Sequence, residues 1–349
     1  MRKFRLVGWA VLLMALWVSA CVPAANTPAV TPAPVSINNI CTLKGQRSQI
    51  QGILRLPDSL SCSKNESPNW CTVQLYDPYD DKTLPVSLYV SAGGLVPDQM
   101  AALSKNYVYG DFKVQTSAGG LVGHGSLVSL SGKISSAGQP TAGGNEVACT
   151  LSDVHQVTAL KQLTPLGMAV KRYDLVDAIT SGVVLAAING KGLQRLDLKL
   201  KPQVDFNLEI NIASGTIFEA LAGEVQNMVV RKSALVVLKP NGEVSLEVDV
   251  ACANMGKKEP TGGDTFKVSK APTPADLQKL ISLAEFPFAS NRVQQFAVWT
   301  ITNNPHIDSY VGIDTTSGLR GGPTVTEIAE MRQLFVAAAI MPNAFNIFK

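Results

Sequence analysis

Six cysteines carry the most reactive side-chain chemistry in this 349-residue chain. Cys41, Cys62, Cys71 and Cys149 share its first half, Cys21 follows an apolar N-terminal run, and Cys252 stands alone in Val250-Ala251-Cys252-Ala253-Asn254. A thiolate is a nucleophile, and a pair of thiols in oxidising surroundings is a cross-link. Four clustered cysteines allow three connectivities. The preferred one joins Cys62 to Cys71, closing a short polar loop, and Cys41 to Cys149, tying together the two ends of one region. Other reactive groups do not converge. The three histidines, His124, His155 and His306, lack metal-ligand spacing, and His124 in Gly-His-Gly reads as a turn residue. No G-x-S-x-G elbow is present, and Gly119-Gly120 and Gly143-Gly144 follow no phosphate-loop pattern. Asp77, Asp80 and Asp81 offer oxygen ligands for calcium, but they fit a solvated turn better. Trp70 and Trp299 suit sugar stacking, although packing is the ordinary fate of an isolated tryptophan. No catalytic set, metal site or cofactor is expected from these residues.

The N-terminus follows the secretory plan. Arg2, Lys3 and Arg5 precede an apolar stretch over residues 6–18, too short for a comfortable membrane span of roughly 20 residues. Val18-Ser19-Ala20-Cys21 then resembles the lipobox of bacterial lipoproteins. That resemblance implies cleavage before Cys21, thioether lipidation of Cys21, and an extracytoplasmic protein held to a membrane by lipid. Residues 22–35 are rich in Pro, Ala and Thr, a composition that favours extended spacers.

Cys252 has a second setting. Gln295 lies in Gln294-Gln295-Phe296-Ala297-Val298-Trp299, and together with Cys252 and Asn254 this resembles the thioester domains of bacterial surface adhesins. The resemblance implies an internal thioester between Cys252 and Gln295, with Asn254, Ala297 and Trp299 supporting the site. Gln294 stands where that family carries threonine. The competing reading is also physical. Val244, Leu246, Val248, Val250 and Cys252 share one strand face, and Val293, Phe296, Ala297 and Thr300 form one helical stripe. A cysteine that ends an apolar face is ordinarily a small core residue.

Elements must hold these residues in place. Alternation and turn residues predict strands over residues 49–56, 72–76, 85–90, 107–115, 126–134 and 148–157, with a helix over 97–105. This rhythm resembles a small OB-fold barrel, and the resemblance covers residues 36–160. In the second part, residues 204–210 alternate strictly, whereas residues 175–188 fit either a strand pair or a helix. Pro240-Asn241-Gly242 between two alternating runs predicts a hairpin. Helices are expected over 274–284 behind Thr273, over 291–302 behind Ser290, and after the capping box Thr324–Glu327. The expected organisation is a signal peptide (1–20), a linker (21–35), an OB-like β domain with two disulfides (36–160), and an α+β domain of antiparallel sandwich followed by helices (161–349). The fold class is mainly β plus α.

The chain has 30 basic and 27 acidic residues, and removal of Arg2, Lys3 and Arg5 with the signal leaves 27 of each. Residues 36–160 hold 8 basic and 9 acidic side chains, so the basic footprint of a nucleic-acid binder is missing. The expected function is non-enzymatic: a lipid-anchored surface protein that binds or adheres to an extracellular protein or glycan, with the membrane as its other partner. A structural envelope lipoprotein without a defined ligand is the alternative. A cell-envelope hydrolase is disfavoured by the missing nucleophile–histidine pair.

Overall fold

The computed structural model describes residues 35–63, 68–136, 146–163, 169–310, 312–315 and 319–349. The expected signal peptide and Cys21 lie outside the described residues, as does the expected linker apart from Val35.

Five strands build a closed barrel: β1 (Arg47–Arg55), β2 (Trp70–Asp77), β3 (Lys82–Ser91), β4 (Leu127–Ser136) and β5 (Cys149–Ala159). Antiparallel pairing joins β1 to β2 and β4, β2 to β3, and β4 to β5. A parallel contact, Val86 with Leu151, closes β3 on β5. This is the connectivity expected of an OB-like barrel. Alternation supplies the core: along β2, Cys71, Val73 and Leu75 point inward between half-buried neighbours. Gly52 lets β1 pass close to β2, since a Cβ there would sit 2.8 Å from both the Leu75 side chain and the Tyr76 carbonyl oxygen.

The helix expected over residues 97–105 is not formed. Between β3 and β4 the chain makes a two-residue strand (Met100–Ala101), a 3₁₀ turn (Tyr109–Asp111) and two short strands (Lys113–Gln115 and Leu121–Gly123), so the long strand expected over 107–115 is also shortened. Helical material enters the barrel core from before the first strand instead. The 3₁₀ segment Ile37–Leu43 buries Ile37 and Ile40 completely and carries Cys41, whose disulfide to Cys149 fastens it to β5. Cys62 and Cys71 face one another across a strand pair and form the second disulfide.

The second lobe begins with β6 (Val170–Asp174), α1 (Leu175–Thr180) and β7 (Val184–Gly190), which resolves the ambiguous run as helix then strand. There follow β8 (Arg195–Pro202), β9 (Asn207–Ile212), β10 (Ile217–Ala220), β11 (Met228–Val230), β12 (Ala234–Leu238), β13 (Val244–Cys252) and β14 (Phe266–Val268). They form a three-stranded sheet, β6-β9-β12, and a six-stranded sheet, β7-β8-β13-β11-β10-β14, whose edges meet through a bridge between Asn189 and Thr265. The expected hairpin at Asn241-Gly242 is half right. The turn closes, with Asn241 at φ 60° and the Gly242 amide 3.0 Å from the Lys239 carbonyl. Its two arms then part: β12 pairs with β9, and β13 pairs with β8 and β11.

Helices α2 (Ala275–Ile281), α3 (Asn291–Asn303) and α4 (Val325–Ala337) complete the lobe. Ser290 caps α3 and the Thr324–Glu327 box caps α4, as their sequences predict. Thr273 does not cap α2; its hydroxyl donates to the Gly215 carbonyl at 2.6 Å.

A small apolar cluster, Ile53, Tyr79, Leu163 and Val237, joins the barrel to the three-stranded sheet. Beside it the Tyr79 hydroxyl donates to Glu209, which also accepts from Arg172 Nε at 2.8 Å. Glu209 is 4% exposed, and every charge in this triad has a partner.

Candidate functional site

Helix α3 packs against the end of β13, and the pair singled out in the sequence meets there. Gln295 presents its side-chain carboxamide to the backbone of Cys252. Its oxygen accepts the Cys252 N–H at 2.9 Å, and its nitrogen donates to the Cys252 carbonyl at 2.8 Å. The side chain thus supplies the ladder bonds that a neighbouring strand would have made. The Cys252 sulfur lies 3.6 Å from the Met228 sulfur on β11. Burial pushes the Cys252 thiol well above its ordinary value, so the sulfur is held protonated. Asn254 accepts the Asn227 amide at 2.6 Å, and Ala297 is fully buried. Trp299 is 2% exposed and joins Phe296 and Tyr310 in an aromatic cluster with centroid separations of 5.2–6.4 Å.

The acidic turn is organised by its own backbone and by Ser36: Asp77 accepts the Tyr79 amide at 2.9 Å, and the Ser36 hydroxyl donates to Asp80 at 2.5 Å. Among the described residues no group of three or more His, Cys, Asp or Glu is placed to hold a metal ion.

A second site was not visible in the sequence. A cleft of about 720 Å³ lies between the barrel and the second lobe. The barrel contributes Arg55 from β1, Tyr76 from β2, and Tyr109, Lys113 and His124 from the long β3–β4 connection. The second lobe contributes Arg231 and Lys232 from the β11–β12 turn, Glu247 and Asp249 from β13, Phe288 from the 3₁₀ turn before α3, and Asn291 from the start of α3.

His124 is more than a turn residue. Its Nδ1 accepts the Leu56 amide at 3.0 Å, so the neutral ring carries its proton on Nε2. Its ring stacks on Tyr109 at a centroid distance of 4.1 Å. Burial first, then the Lys232 and Arg55 charges, push its pKa down to about 4. Gly125, at φ 77°, follows it; a Cβ there would sit 3.7 Å from Lys232 Nζ, so the ammonium packs directly over this turn. Burial pulls the Lys232 ammonium down to about 8, against the pull of Asp249. Arg231 is buried beside it, donating to Asn291 at 2.8 Å, while its Nε has no hydrogen-bond partner. The signal that could have found this site is Arg231-Lys232 inside an otherwise apolar strand–turn–strand run, but a basic pair in a turn ordinarily faces solvent.

Comparison of the chain with family models, curated proteins and solved structures gives no match.

Proposed function

We propose that this protein is a lipid-anchored extracytoplasmic binding protein, tethered through Cys21, whose ligand occupies the cleft between the barrel and the second lobe. The observation that carries the reading is the cleft itself. It is large enough for a small molecule or a few sugar units, mixes aromatic walls with polar groups, and lies at the seam of two lobes, where ligand sites concentrate. The paired cysteines of the barrel suit an oxidising compartment. The lipobox-like run and the spacer behind it support the anchor.

Two experiments test it. A screen of glycans and small envelope metabolites should yield a ligand whose binding is lost when Ser233, exposed at the cleft, is changed to Trp. Ligands that bind the variant unchanged would remove the cleft from the reading. Cys21→Ser should abolish lipid labelling, and a cleaved mature variant that still partitions with membranes would refute the anchor.

A second reading attaches to Cys252 and Gln295, supported by the buried hydrogen bonds of the Gln295 carboxamide to the Cys252 backbone. If a thioester forms, the sulfur bonds to the carboxamide carbon, the carbon–nitrogen bond breaks, and ammonia leaves with the thiol proton. The intact mass then falls by one ammonia, and Cys252→Ala abolishes the loss. An unchanged mass refutes this reading and leaves the cleft untouched.

A further inference from the structure

Charge in the cleft is unevenly compensated. Among the described residues five cations line it: Arg55, Lys113, Arg195, Arg231 and Lys232. Three carboxylates face them, and all three are engaged. Glu247 bridges Lys191 and Arg195. Asp111 accepts the Val108 amide at 3.0 Å, and Asp249 stands 3.9 Å from Arg231. Arg55 lies 3.6 Å above the Tyr76 ring, and Asp81, outside the cleft lining, adds a favourable charge. Lys113 donates only weakly, at 3.4 Å, to the Phe288 carbonyl. Lys232 makes no hydrogen bond or ion pair among the described residues, although most of its side chain is buried. Arg231 has 6% of its side chain exposed and an Nε without a partner.

Burying an unpaired ammonium beside a partly unsatisfied guanidinium is unfavourable unless something else completes the pairing. Tetrahedral oxyanions complete it well. A phosphate monoester carries about −1.5 to −2 charges near neutrality and offers three acceptor oxygens. The five cations and three carboxylates of the lining leave a formal excess of that size and opposite sign. Guanidinium groups meet such oxygens in pairs, a lysine meets them as a point charge, and the Nε2–H of His124 is a neutral donor beside both. Tyr109 and Phe288 offer apolar surface for an organic group attached to the phosphate.

We propose that the cleft binds a phosphoryl group carried on a small organic molecule, held by Lys232, Arg231, Arg55 and His124. This rests on the cleft being the ligand site. A soluble sugar phosphate and the phosphorylated headgroup of an envelope lipid share this chemistry.

The test is calorimetric titration of the full chain in detergent with a hexose phosphate, the same hexose without phosphate, and the corresponding hexuronic acid. The hexose phosphate should bind, the free hexose should not, and Lys232→Met or Arg55→Gln should each weaken binding roughly tenfold or more. Co-sedimentation with phosphatidylcholine vesicles containing phosphatidate, compared between wild type and Lys232→Met, distinguishes the lipid source: Lys232-dependent binding there supports the phosphoryl site on a headgroup. The proposal is overturned if no phosphorylated probe binds, if Lys232→Met binds as tightly as wild type, or if the hexuronic acid binds more tightly than the hexose phosphate. A ligand lost in Ser233→Trp but retained in Lys232→Met would keep the cleft as a binding site while removing its phosphoryl specificity.

Discussion

Lys232→Met is expected to make the protein more stable while removing its ligand. The ammonium sits at about 8 instead of 10.5 because burial strips its water, with Asp249 pulling the other way. Each pKa unit is about 1.4 kcal/mol, so the charged form is destabilised in the fold by about 3 kcal/mol at most. Water at the mouth of the cleft lowers the observable gain to roughly 1–3 kcal/mol. Met retains the packing of the lysine stem without the charge. The pH dependence follows from linkage. The folded pKa is depressed, so between pH 8 and 10.5 the unfolded chain holds the extra proton and wild-type stability rises with pH. Below pH 8 both states are charged and the full penalty persists. The advantage of the variant is therefore greatest at neutral pH and disappears as pH approaches 10.5. Neighbouring groups do not mimic this. His124, held at about 4, stays neutral across the window. Arg55, Arg195 and Arg231 stay charged, and Tyr109 is pushed above its ordinary value by its hydrogen bond to Asp58. Urea denaturation of both proteins at a series of pH values, read as their difference, is the assay. A variant less stable than wild type at neutral pH, or an advantage that does not shrink with rising pH, would refute the argument.

Gln295→Glu should lose about 2–4 kcal/mol in urea denaturation, because a carboxylate cannot donate to the buried Cys252 carbonyl that the amide now meets at 2.8 Å. Gln295→Met, which leaves both the Cys252 N–H and its carbonyl unpaired but buries no charge, should lose less. Tyr79→Phe should lose about 1–2 kcal/mol by the same measurement, since Glu209 keeps its bond to Arg172 but loses one buried donor. Reduction of both disulfides should lower stability by about 2–5 kcal/mol per bridge, more for Cys41–Cys149, which spans 108 positions, than for Cys62–Cys71, which spans 9. Peptide mapping without reductant should find those four cysteines blocked and Cys252 alkylated only after denaturation.

What could be read in advance was local. Alternation along β2, the Ser290 cap and the Thr324–Glu327 box are patterns a few residues long, and each appears where the sequence places it. The barrel followed from spacing between such patterns. Partner choice did not. Asn241-Gly242 specifies a turn, but nothing in it decides whether its two arms pair with each other or with β9 and β8. That is set by the closure of the six-stranded sheet, through contacts far away in the chain. The stretch over 97–105 enters the same core through Met100, but as a two-residue strand, beside the buried Ile37 and Ile40. The cleft was illegible for a related reason. Arg55, His124 and Lys232 are far apart in sequence and belong to no run, so only the docking of two lobes brings them together.

Three polar clusters buried in this fold can be told apart by how completely they are compensated. In the first, Glu209 accepts from both Tyr79 and Arg172, so the seam between the lobes is clamped with no charge left over. In the second, one carboxamide satisfies both the N–H and the carbonyl of Cys252. Saturation of this kind rigidifies, and it raises the barrier to chemistry: a thioester would have to break both bonds and deprotonate a buried thiol. In the third, Lys232 has no hydrogen bond or ion pair among the described residues and only the more distant pull of Asp249, while Arg231 keeps an orphan Nε. A fold that neutralises Glu209 a short way along the same seam has the means to neutralise Lys232. Leaving that ammonium bare costs stability in the empty protein, and an anion that returns it recovers the loss as affinity. Stability and binding should therefore move in opposite directions at Lys232, whereas at Glu209, outside the cleft lining, a substitution should cost stability.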